Sequence, residues 1–114
     1  MKIIDEKIST KELSEMASKM FGDLVKAVVD VENCIMVVDA ELHADEESLL
    51  IEKGSQQKDL WGVNLYPEFY GEEDFIEFDS MINLRPSQGN RSRGVEDETI
   101  RKKVVEIISN LVIK

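Results

Sequence analysis

Two stretches of this chain alternate between a mostly apolar and a mostly polar set of positions, and each stops at a proline. Leu60 to Tyr66 sets Trp61, Val63 and Leu65 against Gly62, Asn64 and Tyr66 before Pro67. Phe75 to Arg85 sets Ile76, Phe78, Ser80, Ile82 and Leu84 against Glu77, Asp79, Met81, Asn83 and Arg85 before Pro86. A period of two sends successive side chains to opposite faces of an extended strand, so one face is buried and the other wetted. Proline has no N–H to give to a strand ladder and ends it. Such one-sided strands need a second layer to cover their apolar face.

Two further segments read as strands. Asn33 to His43 is apolar and β-branched at its start and then alternates, and Ser48 to Glu52 is a short apolar run closed by Gly54 and Ser55. Together the four segments predict an antiparallel meander. Lys2-Ile3-Ile4 offers a short fifth strand at an edge. Trp61 shares its face with Val63 and Leu65, which assigns it to the core.

The covering layer is helical. Ser9-Thr10-Lys11-Glu12 has capping-box form, with Ile8 and Leu13 placed as a hydrophobic staple. Leu13, Met16, Ala17, Met20, Phe21, Leu24 and Val28 then recur at steps of three and four. That stripe predicts a helix over about residues 10–29, with Phe21 in the core. Near the C-terminus, Ile100, Val104, Ile107, Ile108, Leu111 and Val112 form a second stripe. Glu96, Asp97 and Glu98 precede it, where a helix dipole favours acids. The fold expected is α+β: an antiparallel four-stranded sheet, with the N-terminal and C-terminal helices packed on one face. At 114 residues, the chain reads as a single domain over 1–114.

Composition narrows the setting. Hydrophobic residues make up 42% of the chain, too many for a disordered segment. The apolar runs, such as Cys34 to Val38, are far too short to span a bilayer, and Asp5 and Glu6 interrupt the start before it can form a signal peptide. Cys34, the single cysteine, cannot form an internal disulfide and lies in an apolar run, where a buried thiol is expected. These features point to a reducing cytoplasm. An open sheet in so short a chain leaves an edge to manage, which motivates a homodimer.

The net charge of −10 opposes binding to nucleic acid, which depends on neutralising phosphates. The charge is unevenly placed. Asp39 to Glu52 and Tyr66 to Asp79 each hold six acids and no Lys or Arg, whereas Leu84 to Gly94 holds Arg85, Arg91 and Arg93 and no acid. That loop also carries Asn90 and two glycines and leads into a helix start, a combination suited to cradling phosphate or carboxylate. It is not a nucleotide-binding P-loop, because Val95-Glu96 follows Gly94 where Lys and Ser/Thr would stand. Arg85, Asn90, Arg91 and Arg93 are therefore the candidate anion-binding set. The competing structural reading pairs these arginines with the chain's own acids.

Two other constellations carry possible chemistry. On a strand, Asp39, Glu41 and His43 would share one face, as a row for acid–base work or a weakly held metal. With only one histidine in the chain, no resident metal or other cofactor is expected. Glu77, Asp79, Asn83 and Arg85 would form a second polar row facing Asn64, with Met81 and Tyr66 at its rim.

Four segments resemble a known family. They are Glu41-Leu42-His43-Ala44-Asp45, Asp59 to Pro67, Ile76 to Pro86 and Ser87 to Asp97. They are similar to a family of small prokaryotic proteins catalogued only as a domain of unknown function. The resemblance covers nearly the whole chain and implies a prokaryotic cytoplasmic protein, with no reaction or catalytic residue attached. The leading functional expectation is a small binding or regulatory module that takes an anionic ligand or acidic partner surface in the 85–94 loop. The alternative is an enzyme of phosphodiesterase or ribonuclease type, with the arginines on phosphate and His43 or Glu41 as acid–base. A third possibility is an interaction protein whose acidic face meets a basic partner.

Overall fold

The computed structural model describes residues 1–114. In chain order the elements are β1 (Lys2–Ile4), β2 (Ile8–Ser9), α1 (Thr10–Lys19), β3 (Val25–Asp30), β4 (Ile35–Val38), α2 (His43–Glu52), β5 (Leu60–Leu65), β6 (Ile76–Glu77), α3 (Glu98–Leu111) and β7 (Val112–Ile113). One antiparallel sheet has the order β1-β4-β3-β5-β6, and β2 pairs in parallel with β7. Mixed α and β structure, the strand at Lys2–Ile4 and the C-terminal helix agree with the sequence reading.

The meander differs in its parts. The first apolar stripe is not one helix. Ser9 Oγ accepts the Glu12 N–H at 3.1 Å, as a capping box requires, but the helix ends at Lys19. The Gly22 N–H returns to the Ala17 carbonyl at 2.6 Å, and Gly22 takes φ +96°, a conformation open to glycine. Beyond it Val25, Val28 and Val29 favour a strand, and β3 becomes the centre of the sheet. Phe21 falls in the connection and stays exposed rather than entering the core.

The second difference runs from residue 33 to residue 52. Extended structure stops at Val38, Asp39 takes φ +71°, and His43–Glu52 is helix instead of a strand end and a second strand. Asp45 lies in its first turn, as the helix dipole prefers. Cys34 lies exposed in the tight β3–β4 turn at φ +58°, not buried in a strand. The buried Asp30 carboxylate holds that turn by accepting the Glu32 and Asn33 N–H groups at 2.9 and 3.0 Å.

The sheet is covered on both faces. Val25, Ala27, Val29, Met36, Val38, Trp61, Val63 and Leu65 point to one side, where they meet Leu13 and Ala17 of α1 and Val104, Ile107, Ile108 and Leu111 of α3. The two terminal helices therefore share one face, and Trp61 is core. On the other side Val28, Val37 and Leu60 meet Leu50 of α2. This second layer, absent from the expected architecture, positions the site.

Helix α2 carries a cost within that layer. Glu46 is fully buried and neither carboxyl oxygen has a hydrogen-bond partner. Burial pushes its pKa up to about 10; the Ala40 amide and the Lys26 charge pull the other way without completing a bond to it. The folded state thus keeps a proton that the unfolded chain releases above pH 4.5, so this group removes stability as pH rises from there towards 10. Glu46→Gln, which cannot ionise, should be more stable than wild type by about 1–3 kcal/mol at pH 7. The difference between the two proteins, measured by chemical unfolding, should grow between pH 5 and pH 8. A gap that stays constant across that range would show that Glu46 does not carry the penalty.

Candidate functional site

The site begins at the free edge of β5. Strand β6 pairs only with Asn64 and Leu65, which leaves the Gly62 peptide facing outward without a partner strand. Asn83 fills the gap. Its Oδ1 accepts the Gly62 N–H at 2.8 Å and its Nδ2 donates to the Gly62 carbonyl at 2.9 Å. One side-chain amide thereby replaces a strand residue, satisfying groups that would be costly to bury unpaired. Ser80 starts the turn that delivers Asn83: its Oγ accepts the Ile82 N–H at 3.3 Å and its own N–H donates to the Arg93 carbonyl at 2.9 Å. A Cβ on Gly62 would lie 2.6 Å from Ser80 Oγ and 3.2 Å from His43 Cδ2, so glycine is what allows both residues to close on the sheet.

Between this turn and the start of α2 lies a cleft of about 350 Å³. Lys26 and Asn64, direct cross-strand partners on β3 and β5, lie at its base. Leu42, His43 and Ala44 form one wall, and Asp79 to Ile82 with Arg93 form the other. Phe21, Leu42 and Met81 give it an exposed apolar rim. Arg93 Nε donates to Asp79 Oδ1 at 2.5 Å, whereas Lys26 makes no ion pair and lies 5.3 Å from the centre of the Phe21 ring. Leu42 gives α2 no side-chain cap; the Asp45 N–H bonds the Leu42 carbonyl at 3.2 Å, and the helix begins with His43 and Ala44 on the cleft wall.

His43 is the one ionisable ring in the cleft, and it is 7% exposed. Its Nε2 lies 2.8 Å from the Val63 carbonyl, which can only accept, so Nε2 carries the proton. Burial pulls the pKa below its usual value. The Val63 bond opposes that shift and the Lys26 charge adds to it, so the ring is neutral at pH 7. Nδ1 has no partner in the chain and reaches the cleft surface.

The family model described as Protein of unknown function (DUF5674) matches residues 2–111. The chain belongs to that family. No curated protein and no solved structure matches it. Membership of DUF5674 brings no assigned reaction, so the chemistry rests on the geometry. No helix of this DUF5674 protein is long and apolar enough to cross a membrane.

The expected anion-binding residues part company. Arg85 turns inward: its guanidinium stacks 4.0 Å from the centre of the Trp61 ring and donates to the Gln57 and Leu60 carbonyls. Asn90 ties the loop together, with Nδ2 donating to the Asn83 and Gly94 carbonyls at 2.7 and 2.8 Å and Oδ1 accepting the Glu96 N–H at 2.9 Å. Arg91 is exposed and outside the cleft. Arg93 alone reaches it, beside His43.

The row Asp39, Glu41, His43 does not form, because His43 opens a helix and Glu41 points to solvent. The second polar row survives only at its start, where Glu77 accepts from Asn64 Nδ2 at 2.8 Å and from the Tyr66 hydroxyl at 3.1 Å. Asp79 instead pairs with Arg93, while Asn83 and Arg85 serve the β5 backbone.

Sequence reasoning missed Lys26 and the start of α2. Lys26 lies within the span of about residues 10–29 that the apolar stripe predicts as helix, and the one signal for a strand there is the valine-rich run around it. A larger depression of about 430 Å³, lined by Phe69, Glu73, Asp74, Phe78 and Arg101, is less suited to chemistry. Its guanidinium already stacks on Phe78, and it offers no buried unpartnered group.

Proposed function

We propose that this protein is a small binding module that captures an anionic ligand in the cleft at the start of α2. The observation that carries this reading is the uncapped N-terminus of that helix, opening beside Lys26 and Arg93. The helix dipole favours negative charge at this end, and Lys26, which makes no ion pair, stands with the Arg93–Asp79 pair beside it in a chain of net charge −10. The apolar rim of Phe21, Leu42 and Met81 suits an organic body attached to the anion. Arg93 is the contribution of the arginine loop, with Arg85 and Asn90 supporting it from within. The setting we assign is a reducing cytoplasm, which the exposed free thiol of Cys34 supports.

A second reading, hydrolysis of a phosphodiester, draws support from the neutral His43 ring with Nδ1 open to the cleft, the form a general base requires. Release of nitrophenol from bis(p-nitrophenyl) phosphate, abolished by His43→Gln, is what this reading expects. Binding without turnover leaves the module reading alone.

Sulfate and phosphate should stabilise the protein in a saturable way, by about 2.7 kcal/mol at a hundred times the dissociation constant. Lys26→Gln and Arg93→Gln should each weaken that response, and Arg91→Gln should leave it intact. Thermal melts at matched ionic strength measure it. An equal response in the Lys26→Gln and wild-type proteins would remove the cleft as the site.

A further inference from the structure

His43 is held more tightly than capture of an anion requires. Its ring is clamped between the Val63 carbonyl, 2.8 Å from Nε2, and the bare backbone of Gly62, where Cδ2 lies 3.2 Å from the place a Cβ would take. Ser80 closes on the same point from the opposite wall. The ring cannot turn Nε2 into the cleft without giving up the Val63 bond, so the atom it offers is Nδ1. In the neutral ring that atom is a lone pair, an acceptor with no donor anywhere in the chain. Among the nine-tenths buried side chains lining the cleft, Ser80 Oγ already accepts the Ile82 N–H, whereas Nδ1 has no donor. The other such oxygen, Asn64 Oδ1, is wholly enclosed.

An acceptor of this kind is an unfavourable neighbour for a bare anion and a favourable one for a hydroxyl or amine. His43 is also the first residue of α2, so its ring stands at the uncapped end of the helix, where the dipole attracts negative charge. Charge and donor must therefore lie close together on the ligand. Resting on the anion-binding reading of this cleft, we infer that His43 Nδ1 is a specificity-determining acceptor that selects anions bearing a hydroxyl or amino group near the charged centre. Hydroxylated phosphate monoesters are the simplest members of that class. A ligand without the donor leaves a buried lone pair unsatisfied, which is the situation in which binding sites discriminate most strongly.

The test compares two small phosphates by calorimetric titration: glycerol 3-phosphate, which has hydroxyls, and propyl phosphate, which has none. Wild type should bind the hydroxylated ester about tenfold more tightly. His43→Phe, which keeps a ring but no acceptor, should bind the two equally, and His43→Gln, which restores an acceptor, should recover part of the preference. Equal affinities in wild type would overturn the inference and leave the anion site standing. A preference that persists in His43→Phe would assign the acceptor to another group and overturn it too. Failure of both esters and of inorganic phosphate to bind wild type would remove the underlying reading instead. Should His43→Phe not fold, the wild-type ratio and its reduction in His43→Gln still decide.

Discussion

The arrangement of this protein depends on one side-chain amide standing in for a strand. Beyond β6 the edge of β5 would leave the Gly62 N–H and carbonyl exposed to a dry interior, a cost of about 1–3 kcal/mol for each unpaired group. Asn83 meets both at once, and Arg85 continues along the same edge by donating to the Leu60 carbonyl. Because these partners come from a turn and not from a strand, the chain from Asp79 to Gly94 is free to rise off the sheet. Its turn at Met81 to Asn83 folds over the face that α2 also covers, with Ile82 packed there, and the cleft lies between that turn and the start of α2.

The same constraint explains why most of the loop's polar atoms look inward. Asn90 is spent on the carbonyls of Asn83 and Gly94, and Arg85 on the carbonyls of Gln57 and Leu60. Asn83 Nδ2 also reaches the Arg93 carbonyl at 2.8 Å, fixing the backbone from which the Arg93 side chain extends to the cleft. The arginine-rich segment therefore divides residue by residue: Arg85 and Asn90 serve the fold, and Arg93 lines the cleft. At the cleft the segment presents Arg93 paired with Asp79, opposite the unpaired Lys26.

How much of this was legible in the sequence depended on which period held. Leu60 to Leu65 was read correctly because its alternation matches a strand with one face against α1 and α3. The C-terminal helix was equally plain: Val104, Ile107, Ile108 and Leu111 fall on one buried stripe. The first helix was drawn too long because Val28 continues a spacing of four from Leu24, while the glycine and the valine-rich run that break it are local signals. His43 was placed on a strand because Asp39, Glu41 and His43 alternate, although Asp45-Glu46-Glu47 is as good a helix first turn as an acidic turn. In Phe75 to Arg85 the alternation was real but not strand-like beyond Glu77. Phe78 packs on the main core and Ile82 on the opposite face, a division that only the turn at Ser80 allows. For the site, Lys26 is not among the sequence candidates and Arg85 is given a ligand-facing role, since nothing in Asn83 or Arg85 by itself separates a backbone partner from a ligand contact.

The closure of Gly62 by Asn83 holds this edge of the sheet, and amide hydrogen exchange at Gly62 reads that contact directly. In wild type the Gly62 N–H should be protected as strongly as its neighbours within β5, despite having no strand beside it. In Asn83→Ala it should exchange at least about tenfold faster while the amides between β3 and β4 keep their protection, since the loss is local to one edge. A Gly62 amide that exchanges freely in wild type, or is equally protected once Asn83 is gone, would contradict the account.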